Sequence, residues 1–408
     1  MSHSPRSNVR RLAFGRLISV TGGAAAYTAL MFTVWNETHS ATWQSVTLLL
    51  TFGVVGILSP LTGHFGDRFD RRKVMMISES IAAAVFFAMA FVDAPKPLIA
   101  LAFVSAMAES PFWSASAAAI PNLVEREEDI AWANSLLGLG RNAGIMIGPV
   151  IGGVLLTALG ASWVFAINGA TFVVSVLLTM SVKADYSREH SAAEEEEHQG
   201  ITAGLRFIWR DRPLRIMVIA WTVFLLGAGM GMVADAPLAE HFGAGSAGFG
   251  LLIACWGLGS VAGSLLGRKL TQRSEPLWLV LGAVGISAAG LGIAFAPSFE
   301  FVLACLLIMG TSDGISIVAE QGIMMRRSPD AVRSRVMAGF DALLSLGIAI
   351  AYVFAGPVLE ALGPKGVYGV GGISAAVAAV ILLPILRLRG AAPTELSRDG
   401  IVAPPDVA

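Results

Sequence analysis

The sequence predicts an all-helical membrane protein: twelve spanning helices in two six-helix pseudo-repeats, with both termini cytoplasmic. Three observations predict it. The 408 residues are 55% hydrophobic and only 14% charged, where a soluble domain carries about 25% charge, and the mean hydropathy is +0.70. Apolar stretches of spanning length, about 20 residues, recur along the whole chain. The basic residues collect on one side of them. So little charge cannot cover a water-facing surface, and lipid is the expected solvent.

The stretches are 12–35, 44–62, 74–92, 98–120, 132–157, 163–182, 214–237, 247–267, 277–296, 299–323, 336–360 and 367–387. The first follows a basic N-terminus and superficially resembles a signal peptide. It has spanning length and no small-residue cleavage site, so it is expected to be the first membrane helix. Connections on one side are short, such as "DAPKP", "LGAS" and "APSF". The longest polar break, Lys183 to Arg212, divides the helices six and six. It holds the solvated run Glu194–Glu197. After that run, Ile201, Leu205, Ile208 and Trp209 recur at helical spacing opposite Arg206 and Arg210, which predicts an amphipathic helix on the inner membrane face. The expected domains are therefore a first half over 1–182, a linker with that helix over 183–213, a second half over 214–389, and a disordered cytoplasmic tail over 390–408.

Orientation follows from the 28 Lys and Arg residues. Only Lys96 and Lys365 fall in odd-side loops, and Arg141 is read inside a helix. The others are counted with the termini and the even-side loops, which the positive-inside rule puts in the cytoplasm. Trp35, Trp43 and Trp163 mark the outer interface; Trp132, Trp209 and Trp278 mark the inner one.

The halves repeat. At an offset of 208 residues, Pro121 pairs with Pro329, Val124 with Val332, and Gly148-Pro149-Val150 with Gly356-Pro357-Val358. At an offset of 200, "GHFGDRFDRRK" lies over "GSLLGRKLTQR". Parallel six-helix halves are a known transporter layout, with the site between them at mid-membrane. Cys255 and Cys305 both lie in apolar runs, so neither a disulfide framework nor a metal site is expected. There is no nucleophile–base pair and no Gly-rich, Lys-containing phosphate loop. No enzyme activity, cofactor or nucleic-acid partner is expected, and an ion gradient is left as the energy source. The expected partners are lipid, protons and a small-molecule substrate, for a monomer in a bacterial cell membrane.

The densest charge, six of the seven residues 67–73, separates two apolar stretches. Gly63, Gly66, Asp67, Arg68, Arg71, Arg72 and Lys73 there resemble the signature between helices 2 and 3 of the major facilitator superfamily. Phe65 stands in place of its Leu and Asp70 in place of its second Gly. The resemblance implies a cytoplasmic latch with Asp67 facing the positive N-terminus of helix 11, near Arg333 and Arg335. In helix 5, Gly144, Gly148, Pro149, Gly152 and Gly153 resemble the Gly-Pro motif of the superfamily's antiporters, with Ser135 where the full motif has another Gly. "PFWSASAAAIPNLVEREEDIAWANSL" and "ITAGLRFIWRDRPLR" resemble the macrolide-efflux and enterobactin-exporter branch of drug–proton antiporters. That resemblance implies export of a moderately hydrophobic small molecule by proton antiport through alternating access. A siderophore or metabolite exporter, or an uncoupled facilitator, is the alternative. The helix 4 Arg of many proton-coupled relatives is absent here.

Charges inside the apolar stretches are candidate functional groups, because each costs about 2.5–3.5 kcal/mol at a helix centre. Glu109 lies midway along helix 4. Arg141 is roughly 14 Å into helix 5 by helical rise, so an ion pair with Glu109 is expected. Asp313 and Asp341 stand at similar depth, and two carboxylates in low dielectric resist carrying two charges at once. Glu320 is expected to face the cytoplasm and Asp235 an outer vestibule. Glu109, Arg141, Asp313 and Asp341 form the expected proton and substrate path. Tyr27, Met31, Phe32, Trp113, Trp221, Phe224, Met230 and Met232 are candidate pocket-lining residues.

Overall fold

A computed structural model describes residues 5–58, 69–124, 126, 128–182, 201–329 and 332–388. Gly63, Gly66, Asp67 and Arg68, most of the linker, and the tail lie outside the described residues.

The first half forms α1 (Pro5–Thr38), α2 (Ala41–Leu48), α3 (Arg71–Met89), α4 (Pro95–Leu123), α5 (Glu128–Leu159) and α6 (Ala161–Ser181). A π-helical turn, Leu49–Val54, extends α2. Local signals start these helices. Ser40 caps α2 by accepting from the Trp43 N–H, and Pro95 opens α4 at a position where its missing N–H costs nothing. Asp70, at the place of the resembling signature's second Gly, accepts from the Lys73 N–H at 2.9 Å and caps α3. The second half follows with α7 (Ile201–Arg210), α8 (Arg212–Ala228), α9 (Gly231–His241), α10 (Gly245–Gly267), α11 (Glu275–Ala294), α12 (Phe299–Arg327) and α13 (Arg333–Leu382).

The stretch 214–237 lies within one candidate span, Arg212–His241, which carries a turn at Gly229-Met230 between α8 and α9. Gly227, Gly229 and Gly231 crowd this point, and glycine is a poor helix former. The last two stretches, 336–360 and 367–387, are two helical legs of α13, separated where the backbone leaves the helical region at Gly363, φ 68°. Pro364 follows and fixes the turn. Among the described residues, ten helical segments are long and apolar enough to cross a membrane. α3, which opens on the basic cluster and carries Glu79, is not among them.

The chain divides into two compact units. The first comprises Met1–Glu189 with Asp235–Ala254, and the second His190–Ala234 with Cys255–Ala408. In the first, α1 packs chiefly on α5 and α6, and α3 on α4 and α6. One apolar core joins Ala25, Ala29, Leu30, Val34, Met89, Leu98 and Phe165. A second gathers Leu12, Met75, Phe112, Ala119 and Leu137 nearer the N-terminus of α1. The segment 235–254 closes on this unit: Thr157 and Ser246 share a hydrogen bond of 2.6 Å, and Trp35 donates to Glu240. Basic side chains tie its other end. Arg72 donates to the Met180 carbonyl at 2.6 Å and Arg11 to the Ser181 carbonyl at 3.2 Å, at the C-terminus of α6, while Arg71 reaches the Ala118 carbonyl on α4 at 2.9 Å. Cations suit carbonyls at a helix end.

The second unit repeats the scheme. α8 lies against both legs of α13, with Gly347 on Thr222 and the Ser374 hydroxyl donating to the Phe224 carbonyl at 3.1 Å. α11 packs on α12 and on the second leg, where Gly290 meets Gly372. α7 buries Phe207 and Ile208 in the core and leaves Trp209 exposed, where the sequence expectation grouped Ile208 with Trp209 on the apolar face. Gly204 lies directly on the Arg335 backbone, a contact no larger residue permits. Asp211 caps α8 through the Leu214 N–H at 3.1 Å and receives Arg327 at 2.7 Å.

Removing one partner of a buried pair leaves an uncompensated charge, at about 3–5 kcal/mol. Asp211 is 3% exposed. Asp211→Ala is therefore expected to lower the melting temperature of the detergent-solubilised protein markedly, and Asp211→Asn, which still caps, by less. Thermal unfolding of the three proteins checks both the size and the order.

Candidate functional site

The charges inside the first unit gather on one face of α4. Ser105, Glu109 and Trp113 follow at four-residue intervals, which aligns them along a helix. The Ser105 hydroxyl donates to Glu109 Oε1 at 2.9 Å. The guanidinium carbon of Arg141, on α5, lies 5.4 Å from the Trp113 ring centroid. A second guanidinium, Arg16 on α1, lies 4.8 Å from the same centroid and 5.9 Å from that of Phe112. Behind this face stands Glu79 on α3, 1% exposed, with Oε1 accepting from the Ser175 hydroxyl of α6 and Oε2 without a hydrogen bond. Arg16 interacts electrostatically with both Arg141 and Glu79, and Glu79 with Glu109. Two guanidiniums and two carboxyls thus gather around this face, supplied by α1, α3, α4 and α5.

The expected Glu109–Arg141 ion pair is not formed. Among the described residues, the ion pairs are Arg6–Asp129, Arg326–Glu275 and Arg327–Asp211. Glu109 is held by its own helix instead, and Arg141 by the indole one turn further along. Arg16 and Glu79 were missed in the sequence for different reasons. Arg16 merges with the basic N-terminus, although it already lies within the apolar stretch. Glu79 is a lone acid in an apolar run close to the basic cluster.

α5 is seated by its glycines. A Cβ at Gly144 would stand 2.9 Å from the Thr21 backbone nitrogen, one at Gly148 2.5 Å from Ala24 Cβ, and one at Gly152 2.6 Å from the Ala25 carbonyl oxygen. Gly140 extends the stripe to the Ala13 carbonyl at 2.8 Å; the four-residue period was the signal for it. Gly153 faces away, onto the Ser246 carbonyl. Pro149 lies inside α5 without ending it. A cavity of about 210 Å³ opens between α1, α5 and α6, apolar apart from Thr21, Asn168 and Thr171.

In the second unit three acids lie close together within the spanning helices. Asp313 on α12 and Asp341 on α13 both lie within electrostatic reach of Glu320, which the sequence had left to the cytoplasmic surface. Of the other candidates, Met31 and Trp221 are packed in the interior. Tyr27 meets Phe52 edge-on at 5.7 Å and lies 6.4 Å from Phe249, and Tyr352 donates to the Met232 sulfur at 3.2 Å. Asp235 stands in the segment that packs with the first unit. Arg71, Arg72 and Lys73 are the described members of the charged signature.

The family model for the Major Facilitator Superfamily matches residues 12–237 and 229–404. Curated relatives include enterobactin exporter EntS of Escherichia coli O157:H7, 24% identical over 407 residues, covering 96% of this chain and 95% of that one. The protein of the same name from Shigella boydii serotype 18 is 24% identical over 406 residues with the same coverage. Among solved structures, a bacterial homolog of the human lysosomal transporter Spinster aligns over 95% of this chain and 97% of its own, at TM-score 0.73 and 16% identity. The nucleoside transporter NupG aligns over 93% and 99%, at 0.70 and 13%.

The glycine seam yields a comparison within one helix. Gly148→Ala drives a methyl into Ala24 and the Thr21 carbonyl, whereas Gly138→Ala, with nothing within 4 Å, meets open space. Overpacking a tight contact costs about 1–3 kcal/mol. Gly148→Ala is expected to lower thermal stability and transport, and Gly138→Ala to leave both near wild type.

Proposed function

The chain belongs to the major facilitator superfamily, and from that premise we propose that it is a proton-driven exporter of a small organic molecule in a bacterial cytoplasmic membrane. The observation that carries export is the whole-length likeness to proteins named enterobactin exporters, over 96% of this chain. Their name favours a siderophore-type or metabolite cargo over the drug or macrolide-like one that the motifs first suggest.

The spanning helices number twelve in this proposal: ten apolar segments, with α3 added and α13 counted as two legs about Gly363. The basic bias puts both termini in the cytoplasm, and the Arg11, Arg71 and Arg72 contacts at one end of the first unit support that side. Coupling rests on carboxyls within the spanning segments. Glu109 takes a proton from outside, and Asp313 and Asp341, joined by Glu320, are the corresponding acids of the second unit. Alternating access then carries the cargo out as the proton comes in. The charged signature around Asp67 acts as the cytoplasmic latch in this reading, and Arg71 and Arg72 anchor α3 to α4 and α6.

Purified protein in liposomes with an interior pH dye tests the proposal. Adding a catecholate siderophore or a macrolide is expected to trigger proton flux, which Glu109→Gln abolishes without changing the amount of folded protein. Cargo movement indifferent to the pH gradient would make the protein a facilitator and remove antiport.

A further inference from the structure

The geometry points to an organic-anion recognition site in the first unit: the Arg16 and Arg141 guanidiniums, gathered on the Trp113 indole, receive the carboxylate or ionised phenol of an aromatic cargo. This rests on the transporter reading and names the class of molecule carried.

Two like charges share one ring, at 4.8 and 5.4 Å from its centroid. Inside a membrane such an arrangement is unfavourable on its own, because each charge is expensive and the two repel. Pairing with a carboxylate would relieve it, yet neither arginine is in any ion pair of the described residues. Glu79 lies within electrostatic reach of Arg16 but forms no ion pair with it and accepts from Ser175, while Glu109 accepts from Ser105. Arg16 Nε is buried and has no hydrogen-bond partner. A donor buried without an acceptor costs free energy that a bound anion recovers.

The surroundings select the rest of the ligand. Trp113 is 36% exposed and Arg141 is exposed, so the group is reachable from the space beside α4 and α5. A guanidinium presents a planar fork that matches a carboxylate, and it stacks on aromatic faces. An aromatic acid satisfies both features at once. An organic cation would approach an indole already flanked by two positive charges, so it is disfavoured there.

Binding of 1-naphthoate and its neutral isostere 1-naphthamide to the full-length protein in detergent, read by calorimetry without any gradient, tests the inference. The acid is expected to bind tighter than the amide by on the order of tenfold or more, the scale of one charge-assisted hydrogen bond. Arg141→Gln, at an exposed position, is expected to remove most of that preference and leave amide binding unchanged. Arg141→Lys should retain part of it, and Arg206→Gln, at an exposed position of α7, all of it. Arg16→Gln should act like Arg141→Gln if the variant elutes as folded protein. Equal binding of acid and amide, no binding of either, or a preference that survives Arg141→Gln overturns the site. A protein that shows the preference but exports nothing keeps the site and loses the exporter reading; export without the preference does the reverse.

Discussion

Backbone contact between α1 and α5 is the constraint on which the interior of the first unit depends. Lipid gives helices no hydrophobic reason to associate, so close packing of small residues must hold them. Gly140, Gly144, Gly148 and Gly152 provide that packing over about three turns. The seam fixes the rotation of both helices. Arg141 lies beside Gly140, and Arg16 lies between the points where Gly140 and Gly144 touch α1. With that rotation fixed, both guanidiniums are directed at α4, where Trp113 receives them. The positions of the charges are consequences of a contact made by residues with no side chain.

The second unit solves the same packing problem with the same pairs of helices. α8 against the two legs of α13 corresponds to α1 against α5 and α6, and Pro357 sits inside α13 as Pro149 does inside α5. α10 and α12 meet through Gly259, Gly263, Gly310 and Gly314, whose missing side chains let the backbones touch. The electrostatics do not repeat. One unit holds arginines and carboxyls around an indole, and the other holds three acids, Asp313, Glu320 and Asp341. The two units thus share a packing scheme and differ in the charge each holds within it.

Charge near the ends of the helices does a different task. The basic cluster after α2 reads in sequence as a topological signal, and the structure gives its members individual work. Asp70 caps α3, Arg71 and Arg72 hold carbonyls of α4 and α6, and Asp211 both caps α8 and binds Arg327. Such residues support the interior without lining it.

The sequence by itself determined the solvent, the helical stretches, the repeat and the side on which charge collects. Each of these is a property of one segment, readable from composition and period. Glu109, Arg141, Asp313 and Asp341 stood out for the same reason, as charges where the stretch should have none. What those charges touch was decided only in three dimensions. Helical period tells which residues share a face, but not which helix that face meets or how the two are rotated. Glu109 therefore pairs with Ser105 and not with Arg141, Arg16 joins the indole from a helix remote in sequence, and Glu320 falls within reach of two other acids. The turn at Gly229-Met230 and the buried Phe207 of α7 were hidden likewise, because a glycine break and a covered aromatic depend on what packs beside them.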